Sequence, residues 1–197
     1  TSLARRLCAA RDWIRDHEST RRLAIGYFGA STGAAAALIA AGGHIRVPIP
    51  GNPVPGTLQV VFVLIAGAAL SPACAVASVL LFLGAGLAGA PVFSGGGAGL
   101  AYLMGPTGGY LVGFVAGAAL CAFMLRGRRD SFTLVAAAML ACALTIHLLG
   151  AARLGVYLGG DIGLAFRLGL MPFLWIDLLK VAAAAAIVTG TSSLLSK

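Results

Sequence analysis

Most of the fourteen lysines and arginines in this chain stand at the ends of long apolar runs, and that arrangement leaves few folds open. Hydrophobic residues make up 59% of the 197 and charged residues only 10%, against about 25% charged in an average soluble domain. One soluble core cannot hide such an excess. The 28 glycines are spread through the apolar runs, as in helices that pack closely inside a bilayer. The chain therefore reads as an all-α membrane protein, a bundle of six transmembrane helices embedded in a lipid bilayer. The formal net charge of +8 does not point to nucleic acid, because the charges flank membrane segments and form no binding stripe.

The first span is expected over Leu23–Ala41, close to the roughly 20 residues a bilayer demands. Gly42–Pro55 holds four prolines within eight residues and reads as a structured surface loop. A shorter helix follows over Gly56–Leu70. Ser71-Pro72 marks a turn into a third helix ending near Leu87. Ala88–Gly99 is a glycine-rich second loop. The fourth helix is expected over Leu100–Leu125 with a break at Gly105-Pro106, the fifth over Phe132–Leu149 and the sixth over Pro172–Gly190. The connection 150–171 reads as a third long loop.

Orientation follows from the bias of basic residues toward the cytoplasmic side. With the N-terminus inside, Arg5, Arg6, Arg11, Arg15, Arg21, Arg22, Arg126, Arg128, Arg129 and Lys197 all fall inside, ten of the fourteen. Both termini are then cytoplasmic and the three long loops face outward, an arrangement suited to capture from that side. The organisation is a basic segment 1–22, a membrane domain 23–191 and a cytoplasmic tail 192–197. The first segment is either an amphipathic helix on the membrane surface or a solvated tail. It does not read as a cleaved secretory signal, because the apolar run after it is too long. Cys8, Cys74, Cys121 and Cys142 lack metal-ligand or paired spacing and read as reduced, small apolar residues.

Two charges break the apolar pattern of the sixth helix. Asp177 and Lys180, three residues apart, project from nearly one face, about 8 and 12 Å below the outer boundary at 1.5 Å per residue. Either would cost roughly 2.5–3.5 kcal/mol facing lipid, so both should turn inward, as a structural ion pair or as ligand contacts. Catalysis has little to stand on. Asp177 is the one carboxylate within a span, no hydrolase, phosphate-loop or metal motif is present, and His147 reads as a packed or interfacial histidine. The first helix carries Gly29, Gly33, Ala37 and Ala41 at every fourth position, a ridge that admits another helix closely. That helix could come from the same bundle or from a partner.

Four stretches then carry a resemblance: Val54-Pro55-Gly56-Thr57-Leu58-Gln59, Gly89-Ala90-Pro91-Val92-Phe93, Leu103 through Tyr110 with its G-P-T-G-G-Y core, and Gly169-Leu170-Met171-Pro172-Phe173 leading to Asp177 and Lys180. In order and spacing the chain resembles the BioY family, the biotin-specific S-components of energy-coupling-factor (ECF) importers. The resemblance covers about residues 23–190.

It implies a six-helix S-component of the bacterial cytoplasmic membrane that binds biotin from outside, without enzymatic activity, cofactor or metal. It also implies a transmembrane T-component and two ATP-binding subunits as partners, docked on the Gly29–Ala41 ridge. A solitary or homo-oligomeric transporter, the same fold tuned to a biotin precursor, and a purely structural membrane protein are the competing readings. Under the resemblance Asp177 and Lys180 contact the bicyclic head of biotin, with Thr107, Gly108 and Tyr110 nearby and Gln59 in the signature. The chemistry agrees, since the ureido ring offers N–H donors to a carboxylate and a carbonyl to an ammonium. Val92, Phe93 and Leu103 suit the apolar ring and chain, and Arg46 and Arg153 are candidates for the valerate.

Overall fold

A computed structural model describes residues 26–126 and 128–195, with side chains through 191. The basic segment 1–22, Cys8 and Lys197 lie outside the described residues. Helix α1 covers 26–44. A two-stranded antiparallel ribbon follows, β1 (Arg46–Val47) and β2 (Gly56–Thr57), with Arg46 opposite Thr57. Then come α2 (Gln59–Ala69), α3 (Pro72–Leu87), a 3-10 turn at Ser94–Gly96, α4 (Gly99–Met104), α5 (Gly108–Leu125), α6 (Phe132–Tyr157), α7 (Ile162–Gly169) and α8 (Met171–Leu195).

The helix starts follow local chemistry. Ser71 accepts the Cys74 N–H at 3.3 Å ahead of Pro72, giving α3 a side-chain cap and a proline in its first turn. The break expected in the fourth helix is real and separates α4 from α5 over Gly105–Thr107. The connection expected over 150–171 is mostly helix instead. There α6 continues to Tyr157, Gly159 and Gly160 turn the chain at positive φ, and Asp161 caps α7 by accepting the Leu164 N–H at 2.8 Å.

Among the described residues, three stretches are long and apolar enough to cross a bilayer: α5, α6 and Ile162–Thr191, which joins α7 to most of α8. The apolar helices α2 and α3, with 11 and 16 residues, fall short of the usual span of about 20. Several helices nevertheless present large apolar side chains outward. Leu80, Leu81, Phe123, Leu148 and Leu179 are each more than half exposed, a surface suited to lipid rather than water.

Among the helices α2–α8 the most extensive pair is α5 on α6. A Cβ on Gly113 would come within 2.8 Å of Ile146 Cα, and one on Gly117 within 2.9 Å of the Cys142 carbonyl oxygen. Only glycine lets the two backbones meet this closely. Around that seam the core closes with Ile39 from α1, Leu64 from α2, Phe82 from α3 and Met139 and Ile146 from α6, all buried. From the α5–α6 connector, Arg129 donates to the carbonyls of Ala68 and Leu70 at 2.6 and 3.0 Å, satisfying acceptors at the end of α2.

Candidate binding site

Beneath the 45–58 loop lies a cavity of about 50 Å³. Val54, Pro55, Thr57 and Gln59 roof it, Thr107, Tyr110, Leu111 and Phe114 of the α5 region form a wall, and His147, Phe173 and Lys180 bring in α6 and α8. Tyr110 is fixed from two sides. Its hydroxyl donates to the Gly169 carbonyl at 2.7 Å, and its ring rests on Gly150, where any Cβ would overlap it. Its ring also meets His147 and Phe173 edge-on, with centroids 5.8 and 6.4 Å apart. The Asn52 amide donates to the Leu168 carbonyl at 2.7 Å, pinning the roof to the end of α7.

The charged residues meet at the cavity's edge. Lys180 Nζ lies 3.0 Å from Asp177 Oδ1, and His147 Nδ1 lies 3.2 Å from Asp177 Oδ2. All three side chains are at most 10% exposed. The ammonium is close to Oδ1 but not aligned for a hydrogen bond, and Oδ1 accepts none among the described residues. His147 Nδ1 is also 2.8 Å from the Ala143 carbonyl oxygen. Lys180 and His147 reach the cavity; Asp177 pairs with both from behind and, together with His147, lines a second cleft of about 290 Å³ between α6 and α8.

His147, expected as a packed or interfacial histidine, is indeed packed; what the sequence did not convey is its pairing with Asp177, although a signal existed. A lone histidine within an apolar helix needs a partner as much as a lone carboxylate does.

Other expected residues are distributed around this cluster. Gln59, buried at the start of α2, donates to the Val92 carbonyl at 3.4 Å. Thr107 lines the cavity just ahead of α5, while Gly108 faces a shallower one with Leu103, Leu149 and Arg153. Phe93 is fully buried in the core, edge-on to Phe82 and stacked on Tyr102, and of the two it is Tyr102 that lines the cavity. Val92 packs partly buried against the same core. Arg153 donates to the Met104 carbonyl at the end of α4, and Arg46 is exposed against Gly95.

The ridge of α1 faces away from all of this. Gly29, Ala37 and Ala41 are exposed and Gly33 half-buried, whereas Thr32, Ala36 and Ile39 form the face that packs inward. A Cβ on Gly29 or Gly33 would meet nothing within 4 Å among the described residues. Cys74, Cys121 and Cys142 are free and buried, and no group of three or more His, Cys, Asp or Glu among the described residues could hold a metal ion.

Comparison with known proteins gives consistent matches. Residues 18–197 match the BioY family model. The "Biotin transporter BioY" of Thermotoga maritima is 38% identical over 151 residues, 77% of this chain and 87% of that protein. The "Probable biotin transporter BioY" of Pyrococcus horikoshii is 39% identical over the same shares. Among solved structures, the S-component for biotin from an ECF-type ABC transporter superposes with a TM-score of 0.79 at 25% identity, covering 85% of this chain and 91% of that one.

Proposed function

The chain belongs to the BioY family, and on that premise we propose that it is the biotin-binding subunit of a vitamin importer. It takes biotin from the outer face of the bacterial cytoplasmic membrane and is a transport component rather than an enzyme. In this reading six helices span the bilayer with both termini cytoplasmic, as the placement of the arginines favours. A T-component and two ATP-binding subunits complete the importer, with the exposed ridge of α1 as the docking face.

The observation that carries the reading is the buried Asp177–Lys180 pair at the edge of a cavity roofed by loops. Oδ1 is sealed in the bundle and accepts no hydrogen bond among the described residues, so its lone pairs are left for a ureido N–H once the site opens, and the adjacent ammonium can turn toward the ureido carbonyl. Both bonds are charge-assisted and therefore among the stronger ones. Tyr110, Phe173 and Thr107 then enclose the ring system. Ligand sites usually occupy about 300–1,000 Å³, far more than the 50 Å³ beneath the roof. Binding therefore displaces the 45–58 and 88–99 segments, which close over the vitamin afterwards. Arg153, already donating to Met104, serves the site by holding the α4–α5 break that presents Thr107.

The test is retention of biotin by the purified chain in detergent, identified by mass spectrometry, followed by titration of Asp177→Asn. Truncating one side of a buried charged contact costs about 2–5 kcal/mol, or roughly 30- to 5,000-fold in affinity. The variant is expected to fold and to lose affinity within that range. A variant that binds biotin like the wild type but melts earlier would make the pair purely structural.

A further inference from the structure

We infer that His147 is a ligand contact, with Asp177 as the group that aims it. The inference rests on the biotin reading and deepens it. Nδ1 of His147 faces two acceptors, the Ala143 carbonyl oxygen at 2.8 Å and Asp177 Oδ2 at 3.2 Å. Neither neighbour can donate, so Nδ1 carries the hydrogen and shares it between them. The opposite nitrogen, Nε2, has no hydrogen-bond partner among the described residues, and it is not one of their sealed buried polar atoms. In the uncharged ring this nitrogen is an acceptor with nothing to accept from.

Two aromatic rings flank the imidazole. Phe173 lies against one side with centroids 5.2 Å apart, and Tyr110 meets it edge-on at 5.8 Å. His147 itself is 4% exposed and lines both the cavity and the cleft between α6 and α8. Asp177 and Lys180 already balance each other's charge, so the site has no use for a further cation and every use for a further acceptor. The ureido ring supplies the matching chemistry, because it carries two N–H donors and Asp177 Oδ1 can take only one side of it. His147 Nε2 takes the other N–H. The site then discriminates for a cyclic urea by three polar groups on two helices rather than by the i,i+3 pair alone, and His147 joins Asp177 and Lys180 as a specificity-determining residue.

A chemical double-mutant cycle tests this. Biotin and its two singly N-methylated ureido isomers are titrated, by calorimetry in detergent, into the wild type, His147→Leu and His147→Gln. Losing a hydrogen bond of this class costs roughly 10- to 100-fold in affinity. The wild type is expected to weaken toward both isomers. His147→Leu is expected to weaken toward biotin by a similar factor and to lose its discrimination against one isomer only, while His147→Gln, whose amide reaches the position of Nε2, recovers part of both.

The inference is overturned if His147→Leu binds biotin within about threefold of wild type, or if it still rejects both isomers equally. A wild type that is penalised by only one isomer overturns it without any variant, so a failure of His147→Leu to fold leaves the question decidable. Wild-type protein that does not bind biotin at all would instead remove the functional reading beneath it.

Discussion

Two helices of this chain carry the same ridge of small residues at every fourth position, and the structure uses them in opposite ways. On α5, Gly109, Gly113 and Gly117 are buried and press against the backbone of α6. On α1, Gly29, Gly33, Ala37 and Ala41 look outward and, among the described residues, Gly29 and Gly33 meet nothing. A ridge of this kind only states that a backbone can come close; it does not state which backbone. The inward ridge has its partner within the chain. In the reading proposed above, the outward ridge awaits a partner in another subunit.

The sharpest way to break the contrast is a bulky residue on the inward ridge. At Gly113 a new side chain begins 2.8 Å from Ile146 Cα and 3.0 Å from the Ile146 carbonyl oxygen. Backbone on the other helix cannot step aside as a side chain could. Overpacking of a tight core costs about 1–3 kcal/mol and sometimes more. Gly113→Leu is expected at or beyond the top of that range, read as lost monodispersity or a strongly lowered melting temperature in detergent. Wild-type melting would mean that the seam is looser than described.

The same kind of change on the outward ridge has a smaller effect on the chain and a different readout. Gly33→Leu and Ala37→Trp project into open space, where substitutions usually stay within about 0.5 kcal/mol. Melting and biotin affinity are expected to hold. Co-purification with the T-component is expected to fall at least about tenfold, near 1.4 kcal/mol. Loss of biotin binding with assembly intact would assign the ridge to the bundle interior.

The two ridges also explain what the sequence alone could convey. Periodicity and composition mark apolar helices and small faces, so the apolar helices and the α4–α5 break were legible. Pairing across helices is not written in either. Asp177 and Lys180 announced themselves because charge in an apolar run is costly, yet their third partner, His147, sits thirty residues earlier on another helix. The extension of α6 through Arg153 was hidden for a related reason. A charge among glycines reads as loop until the carbonyl it binds, that of Met104, comes into view. Phe93 was legible as an apolar site residue, but its burial between Phe82 and Tyr102 makes it an anchor of the loop.

The finest test applies one methyl group to each ridge. Gly29→Ala adds a Cβ that meets nothing within 4 Å among the described residues, and exchanging an exposed helical glycine for alanine lowers the conformational entropy lost on folding. The expected result is a melting temperature unchanged or raised, by an amount equivalent to about 0.5–1 kcal/mol at most. Gly117→Ala gains the same propensity, but its Cβ arrives 2.9 Å from both the carbonyl oxygen and Sγ of Cys142. The thiol can shift; the carbonyl belongs to the backbone of α6 and cannot do so alone. Crowding should therefore outweigh propensity, and the second variant should melt below wild type by roughly 1 kcal/mol. Opposite signs from identical chemistry would tie the contrast to contact geometry, since both sites are helical glycines in apolar surroundings. Equal signs would show that propensity governs both positions, and the division between an inward and an outward ridge would lose its energetic meaning.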